Sequence, residues 1–219
     1  MAANLVYVPL SAVIGWALGW ASAWLTDLLQ PREDADKIRG RGLLVRDPLA
    51  QGGLALVWAA IPLLVSGDLV RWLEAGLLAV PLVQVAVTDL RTRYVYTYVA
   101  LIGIALGVAF GWHYHGVLWY WSLVAAAVGA AAFGVLYGIG LVYGRLRHGG
   151  LEALARGDIT IAAMVAAGAA SCAANALVWG VLLGGLLALV ALVILRSGRA
   201  YMPFGPGLCL GGLAALFLC

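Results

Sequence analysis

The residues in this chain best suited to chemistry are two aspartates. Asp89 ends the apolar run Pro81-Leu82-Val83-Gln84-Val85-Ala86-Val87-Thr88, and Asp158 opens the run Ile159-Thr160-Ile161-Ala162-Ala163-Met164. A carboxylate well inside a membrane span costs at least about 2.5–3.5 kcal/mol on insertion scales, and less at its edge. Each aspartate therefore has an ordinary explanation by itself. Asp158 would cap the helix it opens, and Asp89 would pair with Arg91 or Arg93. Taken together they allow more. Two adjacent carboxylates do not both ionise cheaply, so they hold one proton between them. One then acts as base toward a water while the other donates a hydrogen bond to a substrate carbonyl. That arrangement cleaves a peptide bond without a metal or a covalent nucleophile.

The elements that must position this pair are membrane helices. Of the 219 residues, 64% are apolar and 11% charged, with 29 glycines. Mean hydropathy is +1.01. Soluble domains run at about 45–50% apolar and about 25% charged, so a soluble enzyme, a disordered chain and a disulfide-rich module are excluded. A span takes about 20 apolar residues. Eight apolar segments are expected, at 7–28, 50–66, 70–88, 96–112, 117–143, 159–173, 176–195 and 203–219. The segments at 50–66 and 159–173 are short for a span.

Charge sets the orientation. With the N-terminus outside, the cytosolic connections carry 12 of the 13 basic residues, and Arg71 alone falls on the other side. The positive-inside rule expects such an excess. Asp89 and Asp158 then share the cytosolic edge of the bilayer. Met1 to Leu10 lacks Lys and Arg, so the first segment reads as a retained helix rather than a signal peptide. Glu33, Asp34, Asp36, Asp47, Asp68 and Glu74 read as solvated loop charges. Gly134 with Gly138, and Gly180 with Gly184, read as close-packing positions. His113 and His115 read as interfacial residues among Trp112, Trp119, Tyr120 and Trp121. The three cysteines, Cys172, Cys209 and Cys219, form no Cys-x-x-Cys pair and read as small apolar residues.

Asp89-Leu90-Arg91-Thr92-Arg93-Tyr94-Val95 resembles the first catalytic motif of the type IV prepilin peptidases. Gly157-Asp158, followed by Ala166-Ala167-Gly168, resembles their second, the Gly-x-Gly-Asp signature of intramembrane aspartyl proteases. Met202-Pro203-Phe204-Gly205-Pro206-Gly207 resembles the Pro-Phe-Gly-Pro segment that opens the family's last helix. The resemblance covers most of the chain after about residue 50. It implies an all-α polytopic bundle of about eight transmembrane helices in a single domain, 1–219, in the cytoplasmic membrane with both termini outside. Asp89 and Asp158 would be the catalytic pair. Gly157, Pro203, Phe204, Gly205 and Pro206 would shape the backbone around the substrate. Substrates would be prepilin-like proteins with a basic leader and an apolar helix.

The sequence departs from the family's pattern at three positions. Ala155 stands where the signature has its first Gly, Thr160 where a Lys is common, and Tyr96 where a Pro is common. The cytosolic loop at 29–49 holds no Cys, whereas many bacterial members carry two zinc-binding Cys-x-x-Cys pairs there and also methylate the cleaved product. No metal, cofactor or methyl transfer is therefore expected. Nucleic acid is not an expected partner either, because the basic residues lie in the positive-inside loops. Two other readings stay open: a proton- or cation-coupled transporter, and a non-catalytic pilin-binding member of the same family.

Overall fold

A backbone surrounded by apolar side chains, with no water at hand, must close its hydrogen bonds within each segment, and helices do this. The computed structural model describes residues 2–29, 47–66, 68–92, 95–147, 155–195 and 204–219. Helices and short turns make up all of them. A 3-10 turn (Ala2–Tyr7) leads into α1 (Val8–Leu29). There follow α2 (Pro48–Leu64), α3 (Leu69–Thr92) and α4 (Thr97–Leu106). The last of these continues through a π-turn (Gly107–Gly111) and a single turn at Trp112–Tyr114. Then come α5 (Tyr120–Arg147), α6 (Arg156–Ala169), α7 (Ala173–Leu195) and α8 (Gly205–Leu218).

Glycine contacts fix how these helices run. Gly15 abuts Trp58 and Gly19 abuts Ala50, so α1 and α2 are antiparallel. Gly53 abuts Val83 and Gly76 abuts Trp58, which makes α2 and α3 antiparallel as well. Gly157 lies against Val95, Gly103 against Met164 and Gly107 against Gly168, so α4 and α6 are parallel. Gly129 meets Ala162 and Ala166, and Tyr137 bonds Arg156, so α5 runs against α6. On α8, Gly205 touches Ile161 and Gly212 touches Val165, parallel to α6. Gly207 meets Gly184 and Gly211 meets Ala176, antiparallel to α7. The chain thus runs up and down, and α3 and α6 form the centre. The α3 stretch is 72% buried, against 11% for α1 and 17% for α5.

Among the described residues five stretches are long and apolar enough to cross a membrane: Asn4–Leu28, Leu69–Arg91, Thr97–Tyr114, Tyr120–Val142 and Arg156–Val190. Pro48–Leu64 and Gly205–Leu218 are apolar but shorter. The protein is an all-α chain of long apolar helices, consistent with a multi-pass membrane bundle. The longest stretch is not straight. α6 is parallel to α8 and α7 antiparallel to it, so the chain reverses between them, at the 3-10 turn Ala170–Cys172. Ala170 there has φ 45°, a left-handed conformation that a Cβ disfavours, and it is the one non-glycine with positive φ among the described residues.

Several sequence expectations change. Asp47 is buried, caps α2 through the Leu49 N–H at 2.9 Å, and accepts two bonds from Arg91, at 2.5 and 3.2 Å. Glu74 is buried against His113 Nδ1 at 2.7 Å. Neither is a solvated loop charge, because tertiary packing brings each a partner distant in sequence. Gly180 and Gly184 do let α7 close on α8, but nothing lies within 4 Å of where a Cβ would sit on Gly134 or Gly138. The loop at 30–46 and residues 93, 94, 148–154 and 196–203, Pro203 among them, fall outside the described residues.

Candidate active site at one end of the bundle

Alternation of helix direction brings the end of α3, the start of α6 and the start of α8 to one end of the bundle. Asp89 lies in the last turn of α3 and Asp158 in the first turn of α6. Both are buried, at 5% and 3% exposure, and the two carboxylates are close enough to interact electrostatically. Two positions 69 residues apart in sequence (158 minus 89) thus share one place.

Each carboxylate is oriented by backbone. Asp158 is the third residue of α6 rather than its N-cap; Ala155 holds the cap position. Asp158 Oδ2 accepts the Ala155 N–H at 3.0 Å. This is the reaching-back half of a capping box; the other half is missing, since alanine has no side-chain acceptor. The backbone N–H of Gly205, the first residue of α8, lies against Asp89. A helix start offers unpaired N–H groups of this kind. Gly205 also allows the approach itself: a Cβ there would sit 2.7 Å from Ile161 Cδ1 and closer still to Asp89 Oδ2.

The expected ion pair of Asp89 with Arg91 is not formed, since Arg91 turns to Asp47; Arg93 lies outside the described residues. Among the described residues neither Asp89 nor Asp158 has an Arg or Lys partner within salt-bridge distance.

The other predicted site residues divide by role. Gly157 lets α6 start against Val95, 3.1 Å from where its Cβ would be. Phe204 lays its ring on Gly184 of α7, and Pro206 is buried in the first turn of α8. Thr160, where the family commonly has Lys, bonds the Gly157 carbonyl at 2.8 Å, so it is satisfied within its own helix. Tyr96 is buried beside Tyr98, with ring centroids 5.6 Å apart. The Tyr98 hydroxyl in turn donates to the Thr26 carbonyl at 2.8 Å.

Two features escaped sequence reasoning. Cys209, one turn into α8 from Gly205, is fully buried and within electrostatic reach of both carboxylates. The i, i+4 spacing from Gly205 was the available signal. Gln84, 1% exposed in the middle of α3, bonds Thr26 Oγ1 and Ser22 Oγ on α1, each at 3.3 Å. An uncharged amide inside an otherwise apolar run marks such a crosslink.

Chemically, the site offers two buried acid groups, fixed by backbone donors, at the mouth of a helix bundle. Among the described residues no group of three His, Cys, Asp or Glu side chains is placed to hold a metal ion. Comparison of the chain with known protein families, with curated proteins and with solved structures finds no match in any of the three.

Proposed function

We propose that the protein is a membrane aspartyl endopeptidase resembling the type IV prepilin peptidases, with Asp89 and Asp158 as its catalytic pair. The observation that carries the proposal is the meeting of two buried carboxylates, from the end of α3 and the start of α6, with no cation within salt-bridge distance among the described residues. Burial and mutual repulsion favour one shared proton. The ionised member takes a proton from water as that water attacks the scissile carbonyl, and the protonated member bonds the carbonyl oxygen. The roles then reverse to protonate the leaving amine. The Gly205 and Ala155 N–H groups keep the carboxylates aimed during the exchange.

In this reading all eight helices cross the membrane, the short α2, α6 and α8 included, and the site end faces the cytosol. The 12-to-1 division of basic residues supports that orientation. Substrates are prepilin-like: a basic leader in the cytosol, then an apolar helix, with the scissile bond at the membrane surface. The loop at 29–49 has no Cys, so the activity is proteolysis without zinc and without methyl transfer.

Co-expression with a prepilin-like substrate, followed by mass measurement of the substrate's N-terminus, tests the proposal. Loss of the leader with the wild-type chain, and its retention with Asp89→Asn or Asp158→Asn, is the expected result. An intact substrate that copurifies with the wild-type chain would replace the enzyme by a pilin-binding scaffold.

A further inference from the structure

The end of the bundle opposite the carboxylates holds a second pair of reactive groups. Cys172 closes the 3-10 turn between α6 and α7, and Cys219 follows the last turn of α8. Helix register brings both to one end of the bundle. Along the antiparallel α7–α8 contact, Gly184 faces Gly207, Gly180 faces Leu208 and Ala176 faces Gly211. One more turn in the same direction puts residue 172 beside the last turn of α8, where the Cys219 N–H bonds the Ala215 carbonyl at 3.1 Å. The two thiols lie close enough to interact electrostatically, and the Ser171 hydroxyl is near Cys172 as well. Cys172 is half-buried and Cys219 exposed. The remaining cysteine, Cys209, is buried ten residues (219 minus 209) back along α8, about 15 Å at the helical rise, and does not compete.

We propose that Cys172 and Cys219 are a thiol–disulfide pair that fastens the α6–α7 turn to the end of α8. The oxidant is a disulfide-bearing compound or protein. The Cys219 thiolate, being accessible, attacks one sulfur of that disulfide and releases the first thiol. The Cys172 thiolate then attacks the Cys219 sulfur of the mixed disulfide and releases the second. Two cysteine thiols and one external disulfide become one internal disulfide and two external thiols, so atoms and electrons balance.

The closed bond would join the three helices α6, α7 and α8 at one end, while α6 and α8 present Asp158 and Gly205 at the other. Disulfides persist on the oxidising side of a membrane. Placing this end there in a cell rests on the orientation proposed above; the chemistry of the pair does not.

The test uses the full chain in detergent, treated with oxidised glutathione, then denatured and blocked with N-ethylmaleimide for intact and peptide mass measurement. The reduced chain should take three labels, one for each cysteine. The oxidised chain should take one, on Cys209, with a loss of two hydrogens and a linked peptide joining Cys172 to Cys219. Cys209→Ser should keep that link, while Cys172→Ser and Cys219→Ser should each lose it. Three free thiols after oxidation, glutathione adducts without an internal link, a link to Cys209, or a disulfide between two chains would each overturn the proposal. The readout is disulfide mass rather than substrate cleavage, so its failure leaves the peptidase proposal standing.

Discussion

Gly205→Ala probes the candidate site without removing an acid. The added Cβ would lie 2.7 Å from Ile161 Cδ1 and 3.2 Å from Asp89 Cγ, where ordinary contact begins at 3.4 Å. The Ile161 contact alone therefore demands a shift of roughly 0.7 Å (3.4 minus 2.7), and Asp89 Oδ2 demands more. Ile161 is fully buried, so it has little room to yield. Overpacking of this kind costs about 1–3 kcal/mol of stability. Displacing a reacting group by about 1 Å costs about 10²-fold in rate. The expected outcome is a folded protein with a modestly lower unfolding midpoint and about 100-fold slower cleavage. Cleavage would be timed by mass measurement of a prepilin-like substrate in detergent, with unfolding followed on the same samples. Gly134→Ala is the control, because nothing lies within 4 Å of its Cβ position and alanine is the better helix former. A folded Gly205→Ala protein cleaving at the wild-type rate would refute the claim that the start of α8 sets the position of Asp89.

Four further outcomes are expected. Asp89→Asn and Asp158→Asn should each slow cleavage by at least about 10²-fold, read in the same assay with folding verified by the unfolding transition. Gln84→Leu removes the amide that ties α3 to α1, and should cost about 0.6 kcal/mol and no more than about 1.7, measured by reversible unfolding in mixed micelles. Arg91→Ala should lower the unfolding midpoint slightly, by leaving buried Asp47 with the Leu49 N–H as its remaining partner among the described residues, and the difference from wild type should shrink in high salt. In a cysteine-free background, Ser66→Cys should react with a membrane-impermeant maleimide in intact cells and Arg156→Cys should not; the reverse pattern would put the carboxylates on the wrong face for cytosolic leaders.

Helix placement was legible because it follows from hydropathy and charge alone. The eight apolar segments read from the sequence fall on helices, five stretches of which are long and apolar enough to span a membrane among the described residues, and the break at Ala170–Cys172 falls at the end of the segment read over 159–173. The proximity of Asp89 and Asp158 could be anticipated only through the alternation of helix directions, which counting turns provides. The partnerships of Asp47 with Arg91 and of Glu74 with His113 could not. They join residues 44 and 39 positions apart, and the identity of a polar partner across a bundle depends on helix rotation, which apolar sequence barely constrains. The same limit explains Gly134 and Gly138. Four-residue spacing shows that a helix has a smooth stripe but not which way the stripe faces.

The brevity of α6 and α8 bears on how water reaches a site submerged among apolar helices. Each has 14 residues, or about 21 Å at 1.5 Å per residue, against a hydrocarbon layer of about 30 Å. Flanking α3 and α5 run to 24 and 28 residues. A lipid leaflet bordering so unequal a set of lengths dips toward the shorter ones. If the helices span as proposed, the headgroup layer would be drawn inward beside the start of the short α8, and its hydration would come with it. The hydrolytic water of the proposed reaction would then arrive from a dimple in the cytosolic leaflet rather than through a channel cut across the bundle. A bilayer of longer acyl chains would deepen that dimple and raise the elastic cost of keeping the site wet.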